Sequence, residues 1–511
     1  MIDIHGHTFN ARYLPIRNIL LGKRDFSPLA IFLYDGWAKR IAAAITGATR
    51  LSPVGDSDDP KHELSFDALC DRTVAGSADD LEAALRNECV ITLKGAREIF
   101  DAADKEIGAR TNTKEAREAR LDLIELQLDE RLHGGPLKDV KKALGRFGFL
   151  VKAPIVKDFL VSLIAPDRDI PGLFHRSFEN RVQLMVSHMM DLAPVYAQPE
   201  DGAVLLPFSE QIERTALFQA DADANMVYFV AYNPFRDNGG HGGRALRIVK
   251  DAVENRGAYG IKVYPPSGYR PTENEIPAMP RALFTDEPDR QWKARYEGVT
   301  GRILDQRMQA LFEYCSENRV PLFAHCLDGE FEARKGYAAC FADPRWWRPV
   351  LAKYPDLILC FGHAGSDRFW FGENGGREDW GRLVYELCVM YENVYCGFGV
   401  HAEILDPKKR RHFVELMSSL IEAPRGKYPI EDKILYGSDW YMPRDSQPMV
   451  DYLRGYQTAF TDERLIPFYR RFFFENALEF LDVENRLQRQ NSLPRAVRDD
   501  LGKLLAQRTP R

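Results

Sequence analysis

No two of the eight cysteines stand in a Cys-x-x-Cys spacing, so neither a zinc ribbon nor a dithiol redox motif is present. Cys360 and Cys396 fall inside apolar runs, where a thiol behaves as a small hydrophobe, and the set reads as reduced and structural. A membrane-spanning run is also lacking. The most apolar long stretch, 147–165, is broken by Lys152, Pro154, Lys157 and Asp158. No basic, then apolar leader precedes the first strand-like segment, which gives the expectation of a cytoplasmic protein. Nor does one sign of charge prevail: 69 basic against 75 acidic residues leave a net charge of -6. That balance offers no general attraction for nucleic acid or an anionic membrane, so the expected partner is a small-molecule substrate. Finally, the first strand is not followed by a glycine-rich phosphate loop; its sequel reads HGHTFN, which argues against an open dinucleotide-binding sheet.

What is present begins at the N-terminus. Met-Ile-Asp-Ile-His-Gly-His sets an apolar alternation before two histidines one residue apart. On a regular strand Asp3, His5 and His7 share one face while Ile2 and Ile4 take the other, so two imidazoles converge. The same spacing also suits the polar end of an edge strand. Four later strand-like runs shift the balance, because each ends in a residue able to bind or work beside a cation: GIKVY with Lys262, PLFAHC with His325, LILCFGHAG with His363, and KILYGSDW with Asp439.

With 511 residues and 45% hydrophobic content, the chain can bury one large core and a smaller one. Between the first strand and about residue 170 the signals are helical. Ser77 to Asp80 and Asn112 to Glu115 resemble capping boxes, and Leu121, Ile124, Leu128 and Leu132 form one apolar stripe. Residues 11–170 are therefore expected to be a mostly helical insertion, with His62 and His133 on its surface. The remaining chain, 1–10 plus 171–511, alternates short apolar strands with helical segments. RVQLMVSHMMDL, MVYFVAYNPF, GIKVY, PLFAHC, LILCFGHAG, NVYCGFGV and KILYGSDW bring the strand number to eight. Such alternation predicts an α/β fold, a (β/α)8 TIM barrel, whose site forms at the carboxyl ends of the strands.

These residues resemble the metal-dependent amidohydrolase superfamily, and most closely its amidohydrolase-2 branch, which also contains aromatic-acid decarboxylases. The resemblance rests on DIHGH, PLFAHC, FGHAG, YGSDW and a closing FENALEFL segment, over residues 1–10 and about 171–482; the insertion lies outside the pattern. It implies His5, His7, His325 and Asp439 as ligands of one divalent metal, zinc first and manganese second. His363 would lie beside the ion, and Lys262 stands where two-metal relatives carry a bridging carboxylated lysine. One ion is expected in preference to two, since imidazoles with a single carboxylate suit one zinc-like centre.

The chemistry implied is hydrolysis of an amide, ester or lactone-type bond. A zinc-like ion brings the pKa of water from about 15.7 toward 7, Asp439 carries the proton, and His363 meets the developing oxyanion. Decarboxylation of an aromatic or unsaturated acid is the alternative; Arg236 and Arg270 are the cations that could hold such a substrate. The long loop from Pro265 to about Gly298 is of lid length, and Tyr264, Tyr269 and Trp292 are its candidate substrate contacts. A second aromatic cluster, DRFWFGEN at 367–374, is a candidate pocket wall; His188, His241 and His401 are weaker contacts, His188 equally a core residue. The insertion leaves the barrel at the same rim and would roof the site or meet another subunit, so a homo-oligomer is one expectation. A third reading, of a different class, is a metal-free barrel serving binding or assembly.

Overall fold

The computed structural model describes residues 1–9, 13, 169–196, 206–221, 224–237, 243–275, 299–328, 332, 336–372, 379–440 and 448–508. Apart from residues 13, 169 and 170, the expected helical insertion lies outside them, as do Trp292 and His241. Eight parallel strands follow in sequence order: β1 (Ile2–Gly6), β2 (Leu184–His188), β3 (Met226–Tyr232), β4 (Gly260–Val263), β5 (Leu322–Ala324), β6 (Leu359–Phe361), β7 (Val394–Phe398) and β8 (Ile434–Tyr436). Each pairs in parallel with the next, and helices such as Arg244–Asn255, Gly301–Glu317 and Pro407–Glu422 return the chain between them. The last seam closes through the His5 carbonyl, which accepts from Asp439 N–H at 2.7 Å, and through Asp3 Oδ1, which accepts from Ser438 N–H at 3.0 Å. This is the (β/α)8 barrel that the alternation predicts.

Helix starts follow local chemistry. The Thr300 hydroxyl accepts from Ile303 N–H at 3.3 Å, and the Asp406 carboxylate from Lys408 and Lys409 N–H at 2.8 and 2.9 Å, which satisfies donors a helix leaves unpaired. The apolar packing divides into two clusters. One holds the outward side chains of the strands, such as Ile261, Val263 and Leu322, against the surrounding helices. The other fills the barrel itself with Val227, Phe229, Phe323 and Leu435 and continues into Leu478, Phe480, Leu501 and Leu504. The C-terminal helices thus stopper the end of the barrel opposite the site, and Asn476 Nδ2 ties them to β8 by donating to the Ile434 carbonyl at 2.9 Å. Among the described residues no helix is long and apolar enough to cross a membrane.

One expectation is corrected. Ile2 and Ile4 do not turn away from the barrel interior; they pack within it, in the same cluster as Phe229 and Phe323. The cause is a β-bulge. The ladder runs Asp3 to Met185 and then Gly6 to Ser187, three residues on β1 against two on β2. An extra residue resets side-chain alternation, so Ile4 and His5 both serve the interior, and the His5 ring stands 4.7 Å from that of Phe323.

Candidate metal centre

The carboxyl ends of β1, β5, β6 and β8 deliver His5, His7, His325, His363 and Asp439 to one buried region. Asp439 Oδ1 lies 3.0 Å from His5 Nε2 and 3.0 Å from His7 Nε2. One ligand-type atom each from His5, His363 and Asp439 fall within 4.8 Å of one another. His325 joins at the side, its Nδ1 3.2 Å from His363 Nε2.

Proton positions follow from what each ring faces. His7 Nδ1 is 2.8 Å from the His188 carbonyl, which can only accept, so Nδ1 carries the hydrogen. In the neutral ring Nε2 is then a bare lone pair, yet it faces a carboxylate oxygen. Two lone pairs at that distance repel unless a cation lies between them. In His363, Nδ1 donates to the Gly399 carbonyl at 3.1 Å, which leaves Nε2 without a hydrogen and able to accept from His325 Nδ1 at 3.2 Å. His5 Nδ1 is buried without a hydrogen-bond partner. Bare imidazole nitrogens, fixed by carbonyls behind them and grouped around one carboxylate, fit a divalent ion.

Electrostatics keep the His5 and His363 imidazoles neutral. Burial, followed by the Lys262 charge, holds the His5 pKa well below 6.5. Burial likewise lowers His363 from 6.5 to about 4, with Asp439 opposing. Burial opposes ionisation of Asp439, yet the facing His7 and His363 rings and the Lys262 ammonium together outweigh it and hold the carboxyl below its usual range. Lys262 is itself lowered to about 7 by burial, with Nζ 4.3 Å over the Phe323 ring.

The His363 shift gives a test on metal-stripped protein. A folded pKa near 4 against 6.5 in the unfolded chain means that the unfolded state takes up the proton first, so stability falls as pH drops through that window. The melting temperature of the stripped protein should decline from pH 6.5 to 4 more steeply than that of stripped His363→Gln. Equal slopes would remove His363 as a cause.

Several ends of strands turn through left-handed backbone: His363 at φ 59°, Ala364 at 43°, Val400 at 68° and Asp439 at 56°. For a β-branched valine this is a strained conformation, and such strain concentrates where side chains must be aimed against local preference. Gly399, beside it, has no room for a side chain, since a Cβ would stand 2.9 Å from His5 Nδ1.

The other candidate residues divide. Tyr264 lies at the centre, its ring 4.5 Å from that of His325. Tyr269 is structural: its hydroxyl accepts from Tyr264 N–H at 2.8 Å and donates to the Tyr232 carbonyl at 3.3 Å. Arg236 forms a two-pronged pair with Asp191, both contacts at 2.5 Å. Arg270 stacks on Trp346 at 4.1 Å and donates to the Glu273 carbonyl at 3.3 Å. His401 pairs with Asp367.

Sequence reasoning undervalued His188. Its carbonyl fixes the His7 ring, and its own Nε2 contacts the Ile4 carbonyl at 2.7 Å, while the ring packs 4.1 Å from Phe323. The available signal was its place as the last residue of β2, matching the strand-end positions of the other histidines. Asp3 was also missed: it accepts from His5 N–H at 3.0 Å and from Ser438, and burial pushes its carboxyl up to about 7.

No family model and no curated protein matches this chain. Among solved structures it is similar to a provisionally named metal-dependent hydrolase from Lactobacillus casei ATCC 334, at 14% identity over 69% of this chain and 88% of that one, with a TM-score of 0.39. A protein named amidohydrolase II is similar at 14% identity over 61% and 88%, with a TM-score of 0.36. At these values the functional reading rests on the geometry of the site alone.

Proposed function

We propose that this chain is a metal-dependent hydrolase of the amidohydrolase kind, acting on an amide, ester or lactone-type bond of a small molecule. The observation that carries the reading is the placement of Asp439 Oδ1 at 3.0 Å from two imidazole nitrogens, at least one of which its carbonyl contact leaves without a hydrogen. His5, His7 and Asp439 would hold the ion, with His363 and His325 beside it; zinc suits this nitrogen-rich set, and manganese is second. When bound, the ion supplies Lewis acidity to the scissile carbonyl and acidifies water.

The chain's residues do the rest. Asp439, kept ionised, accepts the proton of the attacking water and returns it to the departing nitrogen or oxygen. The Gly399 carbonyl holds the His363 ring so that Nε2 faces His325 Nδ1 at 3.2 Å. A narrow cleft beside His188, with room for about one water, includes Thr8, Phe9, Met189, Met190 and Gln211 in its wall. The Asp191 pairing of Arg236 favours hydrolysis over decarboxylation, because it occupies one of the two arginines that could hold an acidic substrate.

A product screen on zinc- or manganese-loaded protein tests this. Release of acid with amine, alcohol or an opened lactone is expected; carbon dioxide from aromatic acids without hydrolysis would replace the reading with decarboxylation.

A further inference from the structure

The loops after β6 and β7 bring a second set of ligand-type atoms together, behind the first. Asp367 opens the helix Asp367–Phe371, His401 follows β7, and Glu403 lies in the short turn Ala402–Leu405. One such atom from each lies within 4.8 Å of the other two. His401 Nδ1 contacts Asp367 Oδ1, and the His401 side chain is 2% exposed. The rings of Phe371 and Phe398 wall it at 5.5 Å each, and the Tyr452 hydroxyl accepts from its backbone N–H at 3.4 Å. Its Nε2 is buried without a hydrogen-bond partner. The carboxylate side chains are 14% and 19% exposed, so the set opens toward solvent on one side.

A purely structural triad would need a proton to separate its two carboxylates. Burial and the Asp367 charge do raise the Glu403 pKa, and Lys409 Nζ stands 3.7 Å away as partial compensation. A divalent ion meets the same need more completely, because it takes one donor atom from each side chain at once, and an imidazole with two carboxylates is a donor set that zinc, manganese and cobalt accept. The buried His401, an imidazole held by its surroundings at the inner side of two partly exposed carboxylates, is what sets this apart from an ordinary acidic surface cluster.

We propose that Asp367, His401 and Glu403 form a second divalent-cation site, independent of the first, which clips the loop after β6 to the loop after β7. Three protein ligands leave the solvent side to water. The clip has a definite mechanical consequence. His401 lies two residues beyond Gly399, whose carbonyl orients His363, and Asp367 lies four beyond His363 itself. Joining the two loops fixes both ends of that hydrogen bond.

The test is metal stoichiometry on the full-length chain, stripped with chelator and titrated with Mn²⁺, read by metal analysis after dialysis and by melting temperature. Wild type should hold two ions, Glu403→Gln one, His5→Ala one, and the double variant none. Mn²⁺ should raise the melting temperature of His5→Ala and leave the double variant unchanged. Asp367→Asn serves as a second probe where Glu403→Gln fails to fold, and is expected to lose the same ion. The proposal is overturned if a folded Glu403→Gln or Asp367→Asn keeps the wild-type stoichiometry, or if His5→Ala binds no Mn²⁺. Failure of the first centre would show differently, as a His5→Ala protein that retains the full wild-type complement.

Discussion

Asp439→Asn is expected to yield a folded protein whose kcat, measured at saturating metal, is lower by about 10³-fold or more, as loss of a group that both takes and returns a proton implies. The amide has the shape of the carboxylate, so the backbone N–H that closes the barrel onto the His5 carbonyl remains in place. What changes is charge and basicity. An amide neither accepts a proton at neutral pH nor balances a cation beside His5 and His7, so metal affinity should fall as well, and excess ion is needed to separate the two effects. Circular dichroism and metal content of the assayed sample are the controls. A variant that keeps near-wild-type turnover with its ion bound would mean that the proton travels through another group, and Lys262, buried nearby with a pKa lowered to about 7, would be the first to examine.

The barrel was legible because its signals are local. Strands such as LILCF and NVYCGF are short, apolar and bounded by polar turns, and helices such as Gly301–Glu317 begin at a capping threonine. The strand-end residues were legible for a topological reason: a closed parallel barrel brings the same end of every strand to one mouth, so residues hundreds of positions apart need no further information to meet. What the sequence did not disclose is what depends on register and on backbone groups. The bulge between Asp3 and Gly6 overturns the simple alternation of β1, and nothing in IDIHG announces an extra residue, since a bulge is set by the neighbour it pairs with. Backbone carbonyls were equally silent. Those of His188 and Gly399 decide which nitrogen of His7 and of His363 is left bare, and every residue carries such a group.

His5→Ala carries the other large effect, on the ion rather than on the proton. The ring occupies the middle of the centre: its centroid lies 5.5 Å from that of His7, 5.2 Å from His188 and 5.0 Å from His363. Its loss removes a neutral donor that burial already protects from protonation, so the ion gains nothing in exchange. Changes one shell further out commonly weaken metal binding by about 10–100-fold, and removal of a direct ligand should exceed about 100-fold. By linkage, a 100-fold loss of affinity at fixed excess ion removes about 2.7 kcal/mol of metal-dependent stability. In the Glu403→Gln background, where only this centre remains to be filled, added zinc should raise the melting temperature when His5 is present and fail to do so when it is alanine. The stripped proteins should differ much less. Without the ion His5 contributes packing against Phe323 but also leaves a buried nitrogen unsatisfied, and the two contributions oppose each other. An equal metal-induced rise with and without His5 would show that His7, His363 and Asp439 can hold the ion unaided, and would remove His5 from the ligand set.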